Sequence, residues 1–436
     1  MGHFDNCTPD QRFSVTHAAG WHETGTEKII IDWDQRRFIA VATPWKEEDE
    51  DFFLHALAEH IDDISSDVTQ IEVGEDGELL KTTTDPVVDP TRIPFYPSPL
   101  DYTTQVQHIR RDELIEVSRM GVQVDLCEHT STTGSPPQQV AFKYYFNEGN
   151  MEAIWDEANC LSRIPRHPNI IPFHGLVIDR VEGQDNDKVV GFTTPFVPGG
   201  TIEDNISRPF KLKHLRQLTS TIDYLNLELG ICHGDITPYN LLIDPRTDNI
   251  IIFDFNLAAR LDWEEEHPER QDYDPDRDDV KFTAFTLYEI ITRDTHLRDE
   301  NDPRELDIAM VLDTPAWEKH EEVVLDAPVA DYRRQLDEWM TTRRAKSGDG
   351  AQEEKQQQQT LSLWKQAPGA FDWPPLPELP EVMFFGAMRR IHYQYRRDMV
   401  RHGANFLTWQ RPPSCALPLA EGKKLLATGK LVEASK

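Results

Sequence analysis

Long apolar runs are missing from this 436-residue chain. No stretch of about 18 apolar residues occurs, so no membrane-spanning helix and no membrane partner are expected. The first ten residues, MGHFDNCTPD, hold no apolar core of a secretory signal. Gly2 fits the start of a myristoylation motif, but Asn6 stands where that motif takes Ser or Thr. Cysteine is scarce: Cys7, Cys127, Cys160, Cys232 and Cys415 are scattered and odd in number. They lack paired metal spacing, which points to a reducing, intracellular setting, cytoplasmic or nuclear. Positive charge is short as well, with 45 Lys+Arg against 77 Asp+Glu and a net charge of −32. That balance argues against specific nucleic-acid binding. The shortage is uneven. From Gly386 to Lys436 ten Lys/Arg face three Asp/Glu, a local +7 that leaves −39 for the rest. A basic tail on an acidic body reads either as a docking segment, for the body or an acidic partner, or as a solvated terminal helix.

What is present falls into four segments. Residues 1–104 form an acidic leader of unknown role. It has strand candidates at Lys28–Trp33 and Arg37–Val41, a helix candidate at Asp51–Ile64 with Phe53, Leu54, Leu57 and Ile61 on one side, and an acidic, Pro-rich stretch ending near Pro99 that reads as a linker. Residues 105–343 pass from strand patterns to helix patterns, a small β-rich lobe at about 105–197 and an α-rich one at about 198–343. Residues 344–360 (RAKSGDGAQEEKQQQQT) are low-complexity and read as disordered. Residues 361–436 are first Pro-rich and then basic, with a helix candidate at about Val382–His402.

The chemistry concentrates at His233-Gly-Asp-Ile-Thr-Pro-Tyr-Asn240, followed by the strand-like Asn249–Phe253 and Asp254-Phe255-Asn256. Metal-assisted phosphoryl transfer needs one carboxylate to orient the attacking hydroxyl, and an amide and a second carboxylate to hold magnesium on the nucleotide phosphates. Asp235, Asn240 and Asp254 supply those groups at suitable spacing. On their own Asp235 and Asn240 would equally suit a turn-stabilising Asx pair. Upstream, Val140-Ala-Phe-Lys143 sits on a short strand-like run, Gln139–Phe146, and Glu157 shares a helical face with Leu161 and Ile164 before Pro165 and Pro168 stop the helix. That face would let Glu157 pair with Lys143. A buried strand, Val189–Val197, breaks into Pro198-Gly-Gly200, and Leu212, Leu215, Leu218, Ile222 and Leu225 form a stripe of core packing.

In this order the series (strand Lys143, helix Glu157, the His167-Pro-Asn-Ile turn, the Pro-Gly-Gly break, the His233–Asn240 loop, Asp254-Phe255, and the helix Asp279–Thr292) resembles the eukaryotic protein kinase-like superfamily, as a divergent member, over roughly residues 110–343. The resemblance implies an α+β bilobal fold and ATP with Mg2+ as cofactors. It makes Asp235 the catalytic base, with Lys143 and Glu157 completing the catalytic set. Asn240 and Asp254 become metal ligands, and Lys143, Gly121, Ala141, Thr194, Phe196, Val197 and Leu242 nucleotide contacts. Thr194 would guard the back of the pocket and Pro195–Val197 would form the hinge. His233 and Phe255 would be structural, and Asp279 would hold the catalytic-loop backbone.

The departures are specific. The nucleotide-covering stretch Glu116–Asp125 keeps only Gly121, with Arg119 as a substitute charge. Gly234 stands where the family has an Arg that reads activation-loop phosphorylation. Thr237 replaces the Lys two past the base that often neutralises the transferred phosphoryl. Asn256 replaces a glycine, and as Asn it tolerates a left-handed turn. Only residues 257–278 separate Asn256 from Asp279, with no Ala-Pro-Glu motif, and Leu261–Val280 carries ten acids and two bases. The expected function is transfer of the ATP γ-phosphate to a Ser/Thr hydroxyl of a protein, which the acidic segment would favour being basic. The alternatives are a pseudokinase (a nucleotide-binding or scaffold module) and a small-molecule phosphotransferase of the aminoglycoside/choline kinase type.

Overall fold

The structure is a computed structural model that describes residues 3–4, 7–16, 20–22, 25–102, 104–130, 136–261, 274–347, 373–377, 393–419 and 422–434. The chain forms two compact units: Met1–Ile154 with His174–Phe196 and Pro377–Lys436, and Trp155–Phe173 with Val197–Leu376.

The first unit is built on two sheets. In the leader, β1 (Phe13–Val15), β2 (Gly20–His22), β3 (Gly25–Asp32), β4 (Arg37–Thr43), β5 (Gln70–Val73) and β6 (Leu79–Thr83) make a sheet of order β1-β3-β4-β5-β6, with β2 also on β3. A four-residue helix, α1 (Pro9–Arg12), leads into β1, and α2 (Glu50–His60) links β4 to β5, which pair in parallel. Asp49 caps α2 by accepting from Asp51 N. The apolar side of α2, with Phe53, Leu54 and Leu57, meets Ile30, Ile39, Val41, Ile71 and Val73 in one core. The strand and helix patterns read at 28–41 and 51–64 are thus real elements. The supposed linker is not structureless. It holds β5, β6 and β7 (Arg92–Pro94), because Ile71 and Val73 alternate with polar neighbours and both point into the core. A four-residue alternation between acidic turns is too short a signal to stand out in the sequence.

The second sheet has the order β20-β19-β9-β10-β11-β13-β12-β8. Its strands are β8 (His108–Arg110), β9 (Leu114–Gly121), β10 (Val124–His129), β11 (Gln138–Tyr144), β12 (Gly175–Arg180), β13 (Asp187–Pro195), β19 (Lys423–Leu426) and β20 (Leu431–Glu433). The C-terminal residues therefore extend this sheet beside β9, through Leu425↔Glu116 and Leu426↔Ile115. Earlier in the same segment, β18 (Tyr393–Tyr395) pairs with β7, and a short helix, α9 (Arg396–Arg401), follows. Of the helix expected over 382–402, residues 382–392 lie outside the described residues, and the rest divides into β18 and α9. The basic tail docks on acids of the body: Arg411 binds Asp34 and Glu116, and Arg396 lies 3.5 Å from Asp89.

One face of the second sheet is sealed by charge and aromatic rings. Arg36 binds Glu116 and Asp125, and Arg119 binds Asp125 at 2.6 Å. Arg36 stacks over Tyr144, whose other neighbour is the Trp409 ring, 5.0 Å away. Arg119 also donates to the carbonyls of Asp34 and Trp33 and to the Tyr144 hydroxyl. Burial disfavours charge on Arg119, but Tyr144 and Asp125 outweigh it and hold its pKa above the ordinary value. The expectation that Arg119 could serve phosphates is corrected: it is buried and bound on all these sides. The stretch itself is a tight hairpin, in which Gly121 pairs with Val124 and Gln123 takes a φ of 61°. The buried Gln123 bonds Asn150 with its side chain and Tyr144 N with its carbonyl.

The second unit begins within α3 (Met151–Arg163), from Trp155 onward. Helix α4 (Leu212–Asp223) winds into a wider turn at Tyr224–Leu229 and buries Leu215, Leu218, Ile222 and Leu225. Two short ladders follow: β14 (Ile231–Cys232) with β17 (Ala259–Arg260), and β15 (Leu241–Ile243) with β16 (Ile250–Ile252). Helix α5 (Asp279–Thr292) is buried along nearly its whole length. After α6 (His296–Glu300) and α7 (Ala309–Leu312), α8 (Val329–Ser347) packs on α4, with Arg343 and Trp339 both bound to Asp223. The low-complexity reading at 344–360 meets α8 as far as Ser347, and residues 348–360 lie outside the described ones.

Candidate phosphotransfer site

The loop His233–Asn240 is fixed atom by atom. Asp279, at the start of α5, accepts from His233 N and Gly234 N, each at 2.9 Å, and from Asn226 Nδ2 at 2.8 Å. The anchoring expected of Asp279 is therefore seen. The His233 ring accepts from Asp235 N through Nδ1 and meets the Phe253 carbonyl through Nε2 at 3.0 Å, an arrangement that places the ring proton on Nε2. Its ring also packs edge-on against Phe255 at 4.6 Å.

Five successive carbonyls of the loop each accept a hydrogen bond. Gly234 O accepts from Arg277, Asp235 O from Asn240 Nδ2, and Ile236 O from Thr286 Oγ1 and Arg298. Thr237 O accepts from Asn240 N and Pro238 O from Glu203 N. Buried backbone groups left unpaired would be costly, and these five carbonyls avoid that cost.

Within this frame Asn240 donates through Nδ2 to the Asp235 carboxylate at 2.7 Å. The Asx pair and the candidate base–ligand pair are thus the same contact. With its nitrogen committed, the Asn240 side chain offers its oxygen to a cation, the donor type that hard divalent ions take. Asn240 O accepts from Phe253 N at 3.2 Å, which ties the loop to the end of β16 just before Asp254. Asp254 has a φ of 66°, a left-handed conformation that non-glycine residues rarely hold and that concentrates at functional sites. Phe255 N donates to Glu157 Oε1 at 3.1 Å, so Glu157, almost wholly buried on α3, holds this turn. Asn256 is not among the left-handed residues; the turn puts that strain on Asp254, so no glycine is required after Phe255. Gly234 does require its identity. Its φ is 77°, and a Cβ there would sit 2.6 Å from the Leu257 carbonyl oxygen.

The structure thus brings Asp235, Asn240, Asp254 and Glu157 into one hydrogen-bonded assembly in the second unit. Leu242 lies on β15 beside it, paired with Ile251, and Val197 opens the segment that turns at Gly199 and Gly200, both left-handed or near it. In the first unit, Ala141 and Lys143 share one face of β11, and Thr194 is the cross-strand partner of Ala141. Thr193 points the other way and is fully buried. Phe196 N donates to Gln139 O, and Gly121 sits at the hairpin. Among the described residues no group of three or more His, Cys, Asp or Glu would hold a metal ion. The donor set Asn240 plus Asp254 instead suits Mg2+, which takes one or two protein ligands and completes its shell from phosphates and water.

Sequence reasoning missed the residues that hold the loop from a distance: Arg277, Arg298, Thr286 and Asn226. Arg277 had one visible signal, being one of only two bases in the acidic run Leu261–Val280. Residues 262–273 of that run lie outside the described residues.

The loop, its helix anchor and the sheet-rich unit define a protein-kinase-like α+β fold, and the family model of the protein kinase domain matches residues 124–280. Those residues are thus similar to protein kinase domains, which supports a protein kinase-like superfamily member. It is 32% identical over 119 residues to CBL-interacting serine/threonine-protein kinase 16 of Arabidopsis thaliana, covering 26% of this chain and 23% of that protein. It is 34% identical over 110 residues to protein kinase MCK1 of Saccharomyces cerevisiae, covering 23% and 28%. CBL-interacting protein kinase 15 of Oryza sativa matches at 30% over 103 residues, 22% of each chain. The chain spans about a quarter of the length of these curated relatives.

Proposed function

We propose that this chain transfers the γ-phosphate of ATP to a Ser/Thr hydroxyl of a protein. The observation that supports this reading most is the Asn240–Asp235 contact on a loop whose carbonyls from Gly234 to Pro238 each accept a hydrogen bond, tied through Phe253 to the left-handed Asp254. In the reaction the bond from the γ-phosphorus to the β–γ bridging oxygen breaks and ADP leaves. The substrate oxygen bonds to phosphorus, and its proton passes to the Asp235 carboxylate. Mg2+, held by Asn240 and Asp254, would neutralise charge on the phosphate oxygens. The nucleotide roles expected of Lys143, Gly121, Ala141, Thr194, Phe196, Val197 and Leu242 remain part of this reading. A basic protein substrate and an intracellular location are proposed with it, from the acidic run before α5 and the scattered cysteines.

The test is phosphate incorporation by the full-length chain, with Mg2+ and ATP, into a panel of basic proteins and a panel of small alcohols. Activity on proteins that Asp254→Ala abolishes supports the reading. Activity that survives this change removes it, and turnover on the alcohols alone moves the chain to the small-molecule class. One observation favours the pseudokinase reading. The stretch that should cover the phosphates is a tight hairpin whose Arg119 is consumed in buried ion pairs. ATP binding without transfer to any acceptor would decide for it.

A further inference from the structure

We propose that Arg277 supplies the positive charge at the transferred phosphoryl group that Thr237 does not. The proposal rests on the phosphotransfer reading above. Among the described residues, two guanidinium groups donate to carbonyls of the loop. Arg298 is half-buried and held in place: its Nη2 donates to Ile236 O, Phe282 O and Thr286 Oγ1, and its Nε lies 2.6 Å from Glu289. Arg277 is different. It ends the short turn Pro275–Arg277, just ahead of Asp278, which caps α5, and Asp279, which anchors the loop. Its Nη1 donates to Gly234 O at 3.3 Å and lies 3.8 Å from Asp235 Oδ1, and its Nε lies 3.7 Å from Asp274. The side chain is 30% exposed.

A hydroxyl in line for transfer sits within about 3 Å of its base. Its phosphorus lies roughly 3–3.5 Å further on. A guanidinium 3.8 Å from the same carboxylate, on a flexible stem with donors to spare, covers that distance. The chemistry is that of an arginine meeting phosphate oxygens, where its fork of N–H groups stabilises charge that spreads over the transferring group. The balance of the step is unchanged: Arg277 gives up no proton and forms no covalent bond.

Binding without turnover tests this on the full-length chain, by calorimetry of Mg2+–ADP with and without aluminium fluoride, which mimics the phosphoryl group in flight. Arg277→Ala should leave ADP affinity within about threefold but weaken the fluoride complex, and lower kcat, by about a hundredfold, with KM for ATP little changed. Adding Thr237→Lys to Arg277→Ala should recover at least about tenfold in both measurements. Arg277→Gln keeps a donor for Gly234 without charge; it should melt with the wild type and still lose the fluoride complex. If Arg277→Gln binds that complex as the wild type does, the charge is not the agent and the proposal fails while the phosphotransfer reading stands. If the wild type itself binds ADP no more tightly with aluminium fluoride and transfers no phosphate, the phosphotransfer reading falls and takes the proposal with it.

Discussion

In the loop His233–Asn240 of the second unit, hydrogen bonds to the backbone do most of the fixing, with five carbonyls in a row supplied with donors and one carboxylate, Asp279, collecting backbone N–H groups. In the hairpin Leu114–His129 of the first unit, charge does it: Asp125 and Glu116 are held between Arg36, Arg119 and Arg411, all buried. The two regions hold polar groups still for different ends. The loop fixes Asn240 on the Asp235 carboxylate and leaves that carboxylate partly exposed. The hairpin turns its arginines into structure and leaves no cation for a ligand. A kinase-like fold can therefore hold one loop by hydrogen bonds to its backbone and one hairpin by buried ion pairs.

The comparison can be broken at four points. Replacing Asp235 by Asn should lower kcat by about 10²–10⁴-fold with the melting temperature unchanged; steady-state kinetics on the full chain checks this, and a small effect would make the loop a structural feature like the hairpin. Asp125→Ala should act in the opposite currency. Removing one member of a buried ion group leaves Arg36 with only Glu116 beside it and Arg119 short of its nearest acid, a loss of about 3–5 kcal/mol in denaturant unfolding. A change under about 1 kcal/mol would mean that water reaches those charges. Gly234→Ala should cost about 2–3 kcal/mol, from the left-handed backbone and the approach to Leu257 O. A neutral result would show that the loop relaxes as the hairpin does not. The smallest effect belongs to Asp278, whose side chain accepts from Val280 N and Lys281 N at the start of α5. Asp278→Ala should lower stability by about 1 kcal/mol without moving the loop, and amide exchange at Gly234 would report any spread.

Legibility followed sequence distance. Asp235, Asn240 and Asp254 lie within twenty residues of one another, and their contact follows from a loop and a short ladder, so spacing exposed them. Glu157 was readable as a buried helical position, yet its bond to Phe255 N joins residues 98 apart and no periodicity encodes it. Arg119 was misread because its partners Trp33 and Asp34 stand in the leader, where a turn between two strands gives no hint of what it will touch. Arg277 was absorbed into the bulk charge of an acidic run, although a lone base beside two capping acids is the informative exception there. β5 and β6 were passed over because strands of four or five residues between charged turns carry little alternation.

The pairing of β19 with β9 sets a timetable. Leu425 and Leu426 supply the neighbours of Glu116 and Ile115, and Arg411 and Ser414 close on Asp34. When the ribosome has finished β9, more than three hundred residues must still be made before that edge is covered. Until then the strand is open, and Arg36 lacks the Ala427 carbonyl that it binds in the finished fold. The first unit therefore matures only once β19 and β20 have been made, after the second can already have folded.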